Sequence, residues 1–346
     1  MKTKSQINLF TYIARRVLLA IPTIFGVITI AFIISRALPG DVVLMRIPFR
    51  AIDRMYEIER QKLGLDQPLF IQYIRFIQLM LTGDWGYSIT LYRDLPILHL
   101  LKERLPRTLE LIFISMLIAT YIGLKIGKRT ASNRNKFQDV MSRVIIYLIM
   151  AIPGYLIAMS ILYYFSATNI KLFPFWGYKS AGIGDPLTIT YSRIIDSILC
   201  FRFDILIDYL YHLFVPIISL VIIQLVIITR HTRSSMSGIL QQDYIRTAIA
   251  KGVDNKTVLK KHALRNAIPP VITKITMGFT TLLGVMIPIE VALDIKGIGQ
   301  WFSRAIFMKD YSLVIALVYV YGMIAIIFSL IADIAYSIVD PRIRYK

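Results

Sequence analysis

Long apolar runs separated by short polar segments dominate the pattern along this chain. Six of these runs are close to the roughly 20 residues that a helix needs to cross the hydrocarbon core of a bilayer. They predict spans, with ends uncertain by about four residues, at approximately 17–37, 109–126, 144–165, 213–229, 275–293 and 313–338.

The runs predict helices because they lack the alternation of polar and apolar residues typical of barrel strands. Backbone polar groups must also be satisfied internally within lipid, which favours helices. We therefore expect an all-α integral membrane protein with six transmembrane helices, in which residues 1–346 form a single permease-like transmembrane domain.

Composition agrees with a membrane protein, since 56% of the 346 residues are hydrophobic and the mean hydropathy is +0.62. Soluble domains are about 45–50% apolar. The net charge of +19 comes from cations placed between apolar runs, which argues against nucleic acid as a partner and for loops beside membrane lipid. The single cysteine, Cys200, excludes an internal disulfide.

The loops differ in charge, and the difference predicts an orientation. Segment 127–143 has five cations against Asp139 alone, and segment 230–274 has nine against Asp243 and Asp254. The opposite segment, 167–210, is balanced, with four cations and four acids. The positive-inside rule then places both termini in the cytoplasm of a multi-pass protein in the cell membrane.

Two segments on the predicted outer side are too long to be simple connections. Segment 38–106 is expected to form an extracytoplasmic subdomain, with a helix near 69–81 where Phe70, Ile74, Ile77 and Leu81 recur at helical spacing. Segment 167–210 is aromatic and is also expected to form structure on that side.

The predicted cytoplasmic segment 230–274 contains two amphipathic stretches. Its first stretch, near 243–250, and its second, near 255–267, flank Gly252, which suits the positive φ of a helix end. Asp254 is a candidate N-cap for the second stretch. The apolar stripe of these helices fits either the groove of a partner protein or the inner ends of the chain's own spans and the lipid headgroups.

This segment resembles the EAA loop of ABC importer permeases, in particular that of the dipeptide, oligopeptide and nickel transporters. The broader EAA pattern has an acid at the position of Arg246 and a proline at that of Arg265. The resemblance implies an ATPase-coupling loop that contains Asp243, Tyr244, Arg246, Thr247, Ala248, Ala250, Lys251, Gly252, Val258, Leu259, His262, Leu264, Arg265 and Asn266.

Further motifs extend the resemblance over nearly the whole chain. They are Pro39-Gly40-Asp41, Leu63-Gly64-Leu65-Asp66-Gln67-Pro68, Gly83-Asp84-x-Gly86-x-Ser88, Arg104-Leu105-Pro106-x-Thr108-Leu109-Glu110-Leu111, Gly297-Ile298-Gly299, Asp310-Tyr311 and Asp340-Pro341-Arg342-Ile343-Arg344. Their order is that of the family, which makes the set specific although each motif alone is weak.

The resemblance implies a type I ABC importer permease and its partners. These are a second homologous permease subunit, two cytoplasmic ATP-binding subunits that carry ATP and Mg²⁺, and an extracytoplasmic solute-binding protein. The chain itself is then not an enzyme, and no cofactor or metal is expected in it. The solute implied is a peptide or a similar small molecule, with oligosaccharide or nickel as alternatives.

One segment imitates a nucleotide site. Gly123-Leu-Lys-Ile-Gly127-Lys128-Arg129-Thr130 resembles a phosphate loop, but three residues separate its glycines where four are required. Arg129 also stands where a Mg²⁺-binding hydroxyl belongs, so ATP hydrolysis is expected in another chain.

Acidic residues within predicted spans are candidates for function. Glu290 and Asp333 lie within two turns of span ends, so structural pairing or capping is favoured over contact with solute. Pro288 is expected to kink span five.

Two other classes of membrane protein would show different patterns. A stand-alone secondary transporter or channel would favour paired acids at the bilayer midplane or broken helices in repeated halves. A membrane-embedded hydrolase would need a nucleophile with a base, or a metal cluster, within the spans. The sequence shows none of these patterns, and His99, His212, His231 and His262 have no metal-ligand spacing.

Overall fold

The computed structural model describes residues 9–37, 43–44, 47, 53–168, 173–174 and 176–339. The described chain is helical apart from turns and an isolated bridge between Tyr87 and Pro96. Its helices are α1 (Leu9–Ala37), α2 (Asp53–Leu63), α3 (Leu69–Thr82), α4 (Ile97–Ser132), α5 (Phe137–Met150), α6 (Gly154–Ala167), α7 (Arg193–Leu199), α8 (Phe203–Ile239), α9 (Asp243–Ala250), α10 (Asn255–Ala292), α11 (Ile298–Phe307) and α12 (Tyr311–Val339).

Side-chain pairs fix the directions of the long helices. Gly123 and Gly127 of α4 face Ile228 and Thr232 of α8, so these two helices run parallel. α10 runs the other way, since Glu290 near its end contacts Thr108 near the start of α4. We call the end of the bundle that carries α2, α3 and α11 the loop face, and the end that carries α9 the α9 face.

The all-α membrane fold is confirmed. Among the described residues, five helices are long and apolar enough to cross a membrane: α1, α4, α8, α10 and α12. Arg16 of α1 pairs with Asp333 of α12, and Val27 packs against Gly322, so α1 and α12 are antiparallel. The N-terminal end of α1, at Leu9, and the C-terminal end of α12, at Val339, therefore both lie toward the α9 face.

The predicted third span, 144–165, differs from a single straight helix. It is divided into α5 and α6, whose axes are bent by 94°. The break falls at residues 151–153, where Pro153 has no N–H for the preceding turn and Gly154 restarts the helix. Gly154 lies against Ile223 and Val285, which leaves no room for a side chain there.

The bent pair still carries the chain from one face to the other. Asp139 of α5 contacts Arg233 near the end of α8. Beyond α6, Phe173 stacks on Phe214 near the start of α8, with ring centroids 3.9 Å apart. These two positions on α8 are separated by roughly 28 Å at the rise of an α-helix, about one hydrocarbon thickness. The bent pair thus supplies the sixth crossing.

Helices extend well beyond the apolar runs. The segment 230–274, which connects the predicted fourth and fifth spans, is largely helical, because α8 continues to Ile239 and α10 begins at Asn255. Residues 258–264 of α10 form a π-helical turn. α9 is thus joined to two long helices by the short connections 240–242 and 251–254.

The segment that imitates a phosphate loop is helical throughout, within α4. A Cβ at Gly127 would lie 2.6 Å from the Cβ of Thr232, and one at Gly123 would lie 2.9 Å from Ile228 Cγ2. Glycines four residues apart let two helix backbones approach closely in a membrane. We call this contact the glycine seam, and its role is helix packing.

In the loop-face subdomain, α3 matches the helix predicted at 69–81. Its buried side is formed by Met80 with the partly buried Phe76 and Ile77, which pack on Ile28 of α1. Phe70, Ile74 and Leu81 remain exposed. Gly40 and the C-terminal motif 340–344 lie outside the described residues.

Candidate functional site

The short helix α9 forms a compact helix–turn–helix unit with the start of α10. α9 ends at Ala250, and Gly252 follows with φ of +79°, a conformation that favours glycine. The Asp254 side chain then accepts a hydrogen bond from the Thr257 amide at 2.9 Å and caps α10. The predicted turn and the predicted cap are both confirmed.

The two faces of α9 differ in exposure. Ile245 is 1% exposed and anchors the helix on the bundle, whereas Tyr244 and Ile249 are 45% and 51% exposed. In and directly after α9, Asp243, Arg246, Thr247, Ala250, Lys251 and Gly252 are also exposed, while Ala248 is half-buried. α9 therefore presents an outward surface of mixed apolar and polar side chains, which we call the α9 surface.

The start of α10 faces the bundle. Val258 is buried, and the partly buried Leu259 and Leu264 pack on a small cluster of Ala131, Met236, Ala263 and Ala267. The apolar stripe in this half of the segment thus covers the chain's own helices. Of the two alternatives left open by the sequence, own-span packing holds for α10 and an exposed face holds for α9.

Polar contacts join α9 to α10. The Asn266 side-chain amide donates to the Tyr244 hydroxyl at 3.2 Å and to the His262 carbonyl at 2.8 Å.

The charged residues of this region are mostly exposed. Arg246 pairs with Asp243 at 3.5 Å, an exposed pair of little energetic value. Arg265 is exposed and His262 half-buried. Hydrogen bonds from Thr257 hold the pKa of Asp254 below its usual value.

A second contact on the α9 face ties this region to α5. Asp139 is fully buried and pairs with the Arg233 guanidinium through both carboxylate oxygens, at 2.8 Å for Oδ2. Its Oδ2 also accepts the Asn135 amide at 3.0 Å. No local pattern connects the two members of this pair, because they are far apart along the chain. It locks the start of α5 to α8 on the α9 face.

The loop face is organised around three residues on one stretch of α4. Thr108 donates to Glu290 at 2.6 Å and accepts the Ile298 amide at 3.0 Å. Arg104 donates to Gln300 and to Tyr92, at 3.2 and 3.1 Å. Glu110 accepts the Tyr209 hydroxyl at 2.7 Å and the Ile194 amide at 3.2 Å. The motif at 104–111 therefore fastens three separate segments to α4.

Glu290, one of the candidate functional acids, is 0% exposed. Its Oε2 accepts the amides of Gly299 and Gln300, at 2.8 and 3.0 Å, and so caps the start of α11. Its carboxylate also fills the space in which Gly297 would otherwise carry a side chain. The arrangement favours the capping interpretation and explains the glycines of the motif 297–299. α10 continues through Pro288 to Ala292.

Asp310 plays a similar part beside α12. It is 0% exposed and accepts the amides of Ile89, Thr90 and Leu91 on one oxygen, at 3.1 to 3.2 Å. Its other oxygen caps α12 through the Leu313 amide at 3.2 Å.

Asp333, the remaining candidate acid, pairs with Arg16 at 2.9 Å and lines a cavity of about 150 Å³ with Thr23 and Ser329. Among the described residues, no group of three or more His, Cys, Asp or Glu side chains is placed to hold a metal ion.

Comparison with known proteins gives two family matches that together cover residues 9–345. Residues 100–345 match the model described as binding-protein-dependent transport system inner membrane component, and residues 9–112 match the N-terminal model of such membrane components.

Individual relatives agree over nearly their whole length. The oligopeptide transport system permease protein AppB of Bacillus subtilis is 34% identical, over 96% of this chain and 99% of its own. The di/tripeptide transport system permease protein DppB of Pseudomonas aeruginosa is 33% identical, over 98% and 100%. The probable D,D-dipeptide transport system permease protein DdpB of Escherichia coli is 32% identical, over 92% and 93%.

Proposed function

Since this chain belongs to the family of binding-protein-dependent transport system inner membrane components, we propose that it forms half of the pathway by which a peptide enters the cell. The chain is a permease subunit of an ABC importer. The peptide class is inferred from relatives that are named for oligopeptides, dipeptides and di- or tripeptides.

The observation that carries the proposal is the α9 surface. A short helix outside the apolar bundle exposes Tyr244 and Ile249 while Ile245 holds it in place. An amphipathic helix that offers apolar side chains at its outer side is suited to the groove of a partner protein. We infer that this partner is a cytoplasmic ATP-binding subunit. The second permease subunit then binds a second ATP-binding subunit.

The connections of α9 suit the transmission of movement. Only residues 240–242 separate it from α8, and residues 251–254 lead directly into α10. The Tyr244–Asn266 hydrogen bond adds a side-chain link between α9 and α10. A partner that moves α9 as a rigid body would therefore displace the ends of two spans together. ATP and Mg²⁺ belong to that partner in this account, and the solute arrives on the extracytoplasmic binding protein.

Reconstitution tests the proposal. Proteoliposomes that contain this chain, its second permease, both ATP-binding subunits and the binding protein should accumulate radiolabelled trialanine only when ATP is supplied. The permease pair without ATP-binding subunits should accumulate none. Accumulation driven by an ion gradient without those subunits would instead support the alternative, a secondary transporter or channel.

We further propose that the α9 face is cytoplasmic, as the charge asymmetry of the loops predicts. With Cys200→Ser as background, Leu187→Cys and Ser234→Cys provide exposed positions on opposite faces. A membrane-impermeant maleimide should label Leu187→Cys in intact cells and Ser234→Cys only after the membrane is opened. The reverse pattern would invert the orientation.

A further inference from the structure

The loop face contains a cationic cavity of about 300 Å³ that the coupling account does not use. This volume is at the small end of the range for ligand pockets, roughly 300–1,000 Å³. The residues around it come from the start of α4, from segment 178–196 and from the turn before α11. The cations that line it are Arg104, Arg107, Arg193 and Lys296.

Three of these four cations lie close to one aromatic ring. Arg107 lies 4.3 Å from the centroid of the Tyr178 ring, Arg193 lies 5.3 Å from it, and Lys296 lies 5.4 Å from it. Tyr178 is buried. The ring face attracts cations and holds these side chains together at a spacing that their mutual repulsion would otherwise oppose.

The acids of the cavity are already engaged. Asp185 pairs with Arg193 and with Lys179, at 2.7 Å for the latter. Asp196 accepts the Ile189 and Thr190 amides at 3.2 and 2.8 Å. Glu103, the remaining acid, is half-exposed and lies 3.9 Å from His99.

Three of the cations have no such compensation. Within the described chain, Arg104, Arg107 and Lys296 form no ion pair with a carboxylate. Arg107 donates to the Lys296 carbonyl at 3.3 Å, and Arg104 donates to neutral partners. Arg193 is 4% exposed, and among the described residues its Nε has no hydrogen-bond acceptor. The four cations thus outnumber the three acids that line the cavity, and among the described residues a buried N–H donor of Arg193 has no acceptor.

We propose that this cavity is a carboxylate-binding site, which receives the C-terminal carboxylate of a peptide as it enters the permease. Guanidinium groups match a carboxylate in planar geometry, and charge-assisted hydrogen bonds of this kind are roughly twice as strong as neutral ones. The assignment of the ligand as a peptide rests on the proposed function. Arg107 and Lys296 are the residues that contact the carboxylate, since Arg104 is occupied by Gln300, Tyr92 and the Trp301 ring.

Protection of arginine from chemical modification tests this directly in the full chain. The permease in lipid nanodiscs is treated with phenylglyoxal, and modification of each arginine is followed by mass spectrometry. Trialanine should slow the modification of Arg107, whereas trialanine amide, which lacks the carboxylate, should not. Arg202, which is exposed and paired with Asp204, is the internal control and should react at the same rate throughout.

The variant Lys296→Gln supplies a second measurement. Lys296 is exposed, so the change should leave the fold intact. It should raise the trialanine concentration needed for half-protection of Arg107 by about tenfold, the expected effect of losing one charge-assisted contact. Lys309→Gln, an exposed lysine on the same face and outside the cavity, should leave that concentration unchanged.

Two results would overturn the inference. Equal protection by trialanine and its amide would show that the carboxylate is not recognised. Absence of protection by either would show that the cavity does not bind a peptide. If ATP-driven uptake of trialanine persists in the reconstituted complex in either case, the carboxylate site is wrong while the proposed function stands.

Discussion

The buried acids of the loop face and the exposed side of α9 differ in where their polar groups find partners. On the loop face, Glu290 and Asp310 are completely buried, and each accepts several hydrogen bonds from backbone amides. On the α9 face, Arg246, Lys251 and the apolar Ile249 project outward from a short helix. The two buried acids are fully hydrogen-bonded within the chain, whereas the exposed side of α9 is a surface that remains to be covered.

The difference separates motifs that build the permease from motifs that connect it to a partner. A buried acid with a full set of donors contributes stability and leaves no oxygen for a ligand. An exposed helix with one anchoring side chain contributes little stability of its own. Substitutions of the buried acids on the loop face should therefore affect folding, and those on α9 should affect transport.

The largest effect is expected from Glu290→Ala. The change leaves the Gly299 and Gln300 amides and the Thr108 hydroxyl buried without an acceptor, at about 1–3 kcal/mol for each group. The detergent-solubilised variant should aggregate or lose at least half of its monodisperse peak in size-exclusion chromatography. Glu103→Ala, an exposed acid on α4, should match the wild type. A stable Glu290→Ala protein with defective uptake would move Glu290 from architecture to solute contact.

The glycine seam should give the next largest effect. Gly127→Leu inserts a side chain where a Cβ alone would lie 2.6 Å from Thr232, and overpacking of this kind costs about 1–3 kcal/mol. The midpoint of thermal unfolding in detergent should fall by several degrees. Gly284→Ala is the control, because apart from its own helix backbone nothing lies within 4 Å of the added Cβ. An unchanged midpoint for Gly127→Leu would contradict the seam.

Gly252→Val should separate transport from stability. A β-branched residue at φ of +79° costs roughly 1–2 kcal/mol, and the short turn can respond by redirecting α9. The protein should insert and unfold like the wild type, while ATP-driven uptake by the reconstituted complex falls at least fivefold. Asn133→Ala, at the other turn on the α9 face, should retain uptake. Normal uptake by Gly252→Val would remove the physical basis of the coupling turn.

The smallest effect is expected from the cap at Asp254. Its folded-state pKa is lowered by the hydrogen bonds from Thr257, so the stabilisation is present above the unfolded pKa of about 3.9 and is lost as pH falls through the folded value. Hydrogen exchange of the Thr257 amide, relative to Asp254→Asn at each pH, should show a loss of protection only below about pH 4. Asparagine caps without ionising. A constant ratio across that range would show that the charge contributes nothing.

Local patterns predicted the parts of the fold that depend on neighbours in sequence. Apolar runs gave the spans, helical spacing gave α3, and the residue types of Gly252 and Asp254 gave the turn and cap. The helix ends were missed because hydropathy reports where lipid ends, while hydrogen bonding and packing carried α8 and α10 farther. Pro153 and Gly154 could have indicated the break between α5 and α6, but they lie within a continuous apolar run that predicts a single span.

The long-range pairs lay beyond sequence reasoning. Thr108 and Glu290 are 182 residues apart, and Ser88 and Asp310 are 222 apart. No periodicity connects such positions, so the role of Glu290 as a cap remained one of two alternatives. The motif at 104–111 identified the stretch of α4 that holds other segments, without indicating which segments these are.

The most direct test of the central claim is cross-linking between α9 and the ATP-binding subunit. With Cys200→Ser as background, Ile249→Cys lies on the exposed side of α9 and Ile245→Cys on its anchored side. In membranes from cells that express the whole transporter, a benzophenone maleimide attached to the cysteine and then irradiated, so that the benzophenone inserts into a C–H bond of a neighbouring chain, should join the Ile249→Cys permease to the ATP-binding subunit, and Ile245→Cys should give no such product. Absence of a product from Ile249→Cys, with an active transporter that retains its ATP-binding subunits, would contradict the α9 surface as their contact.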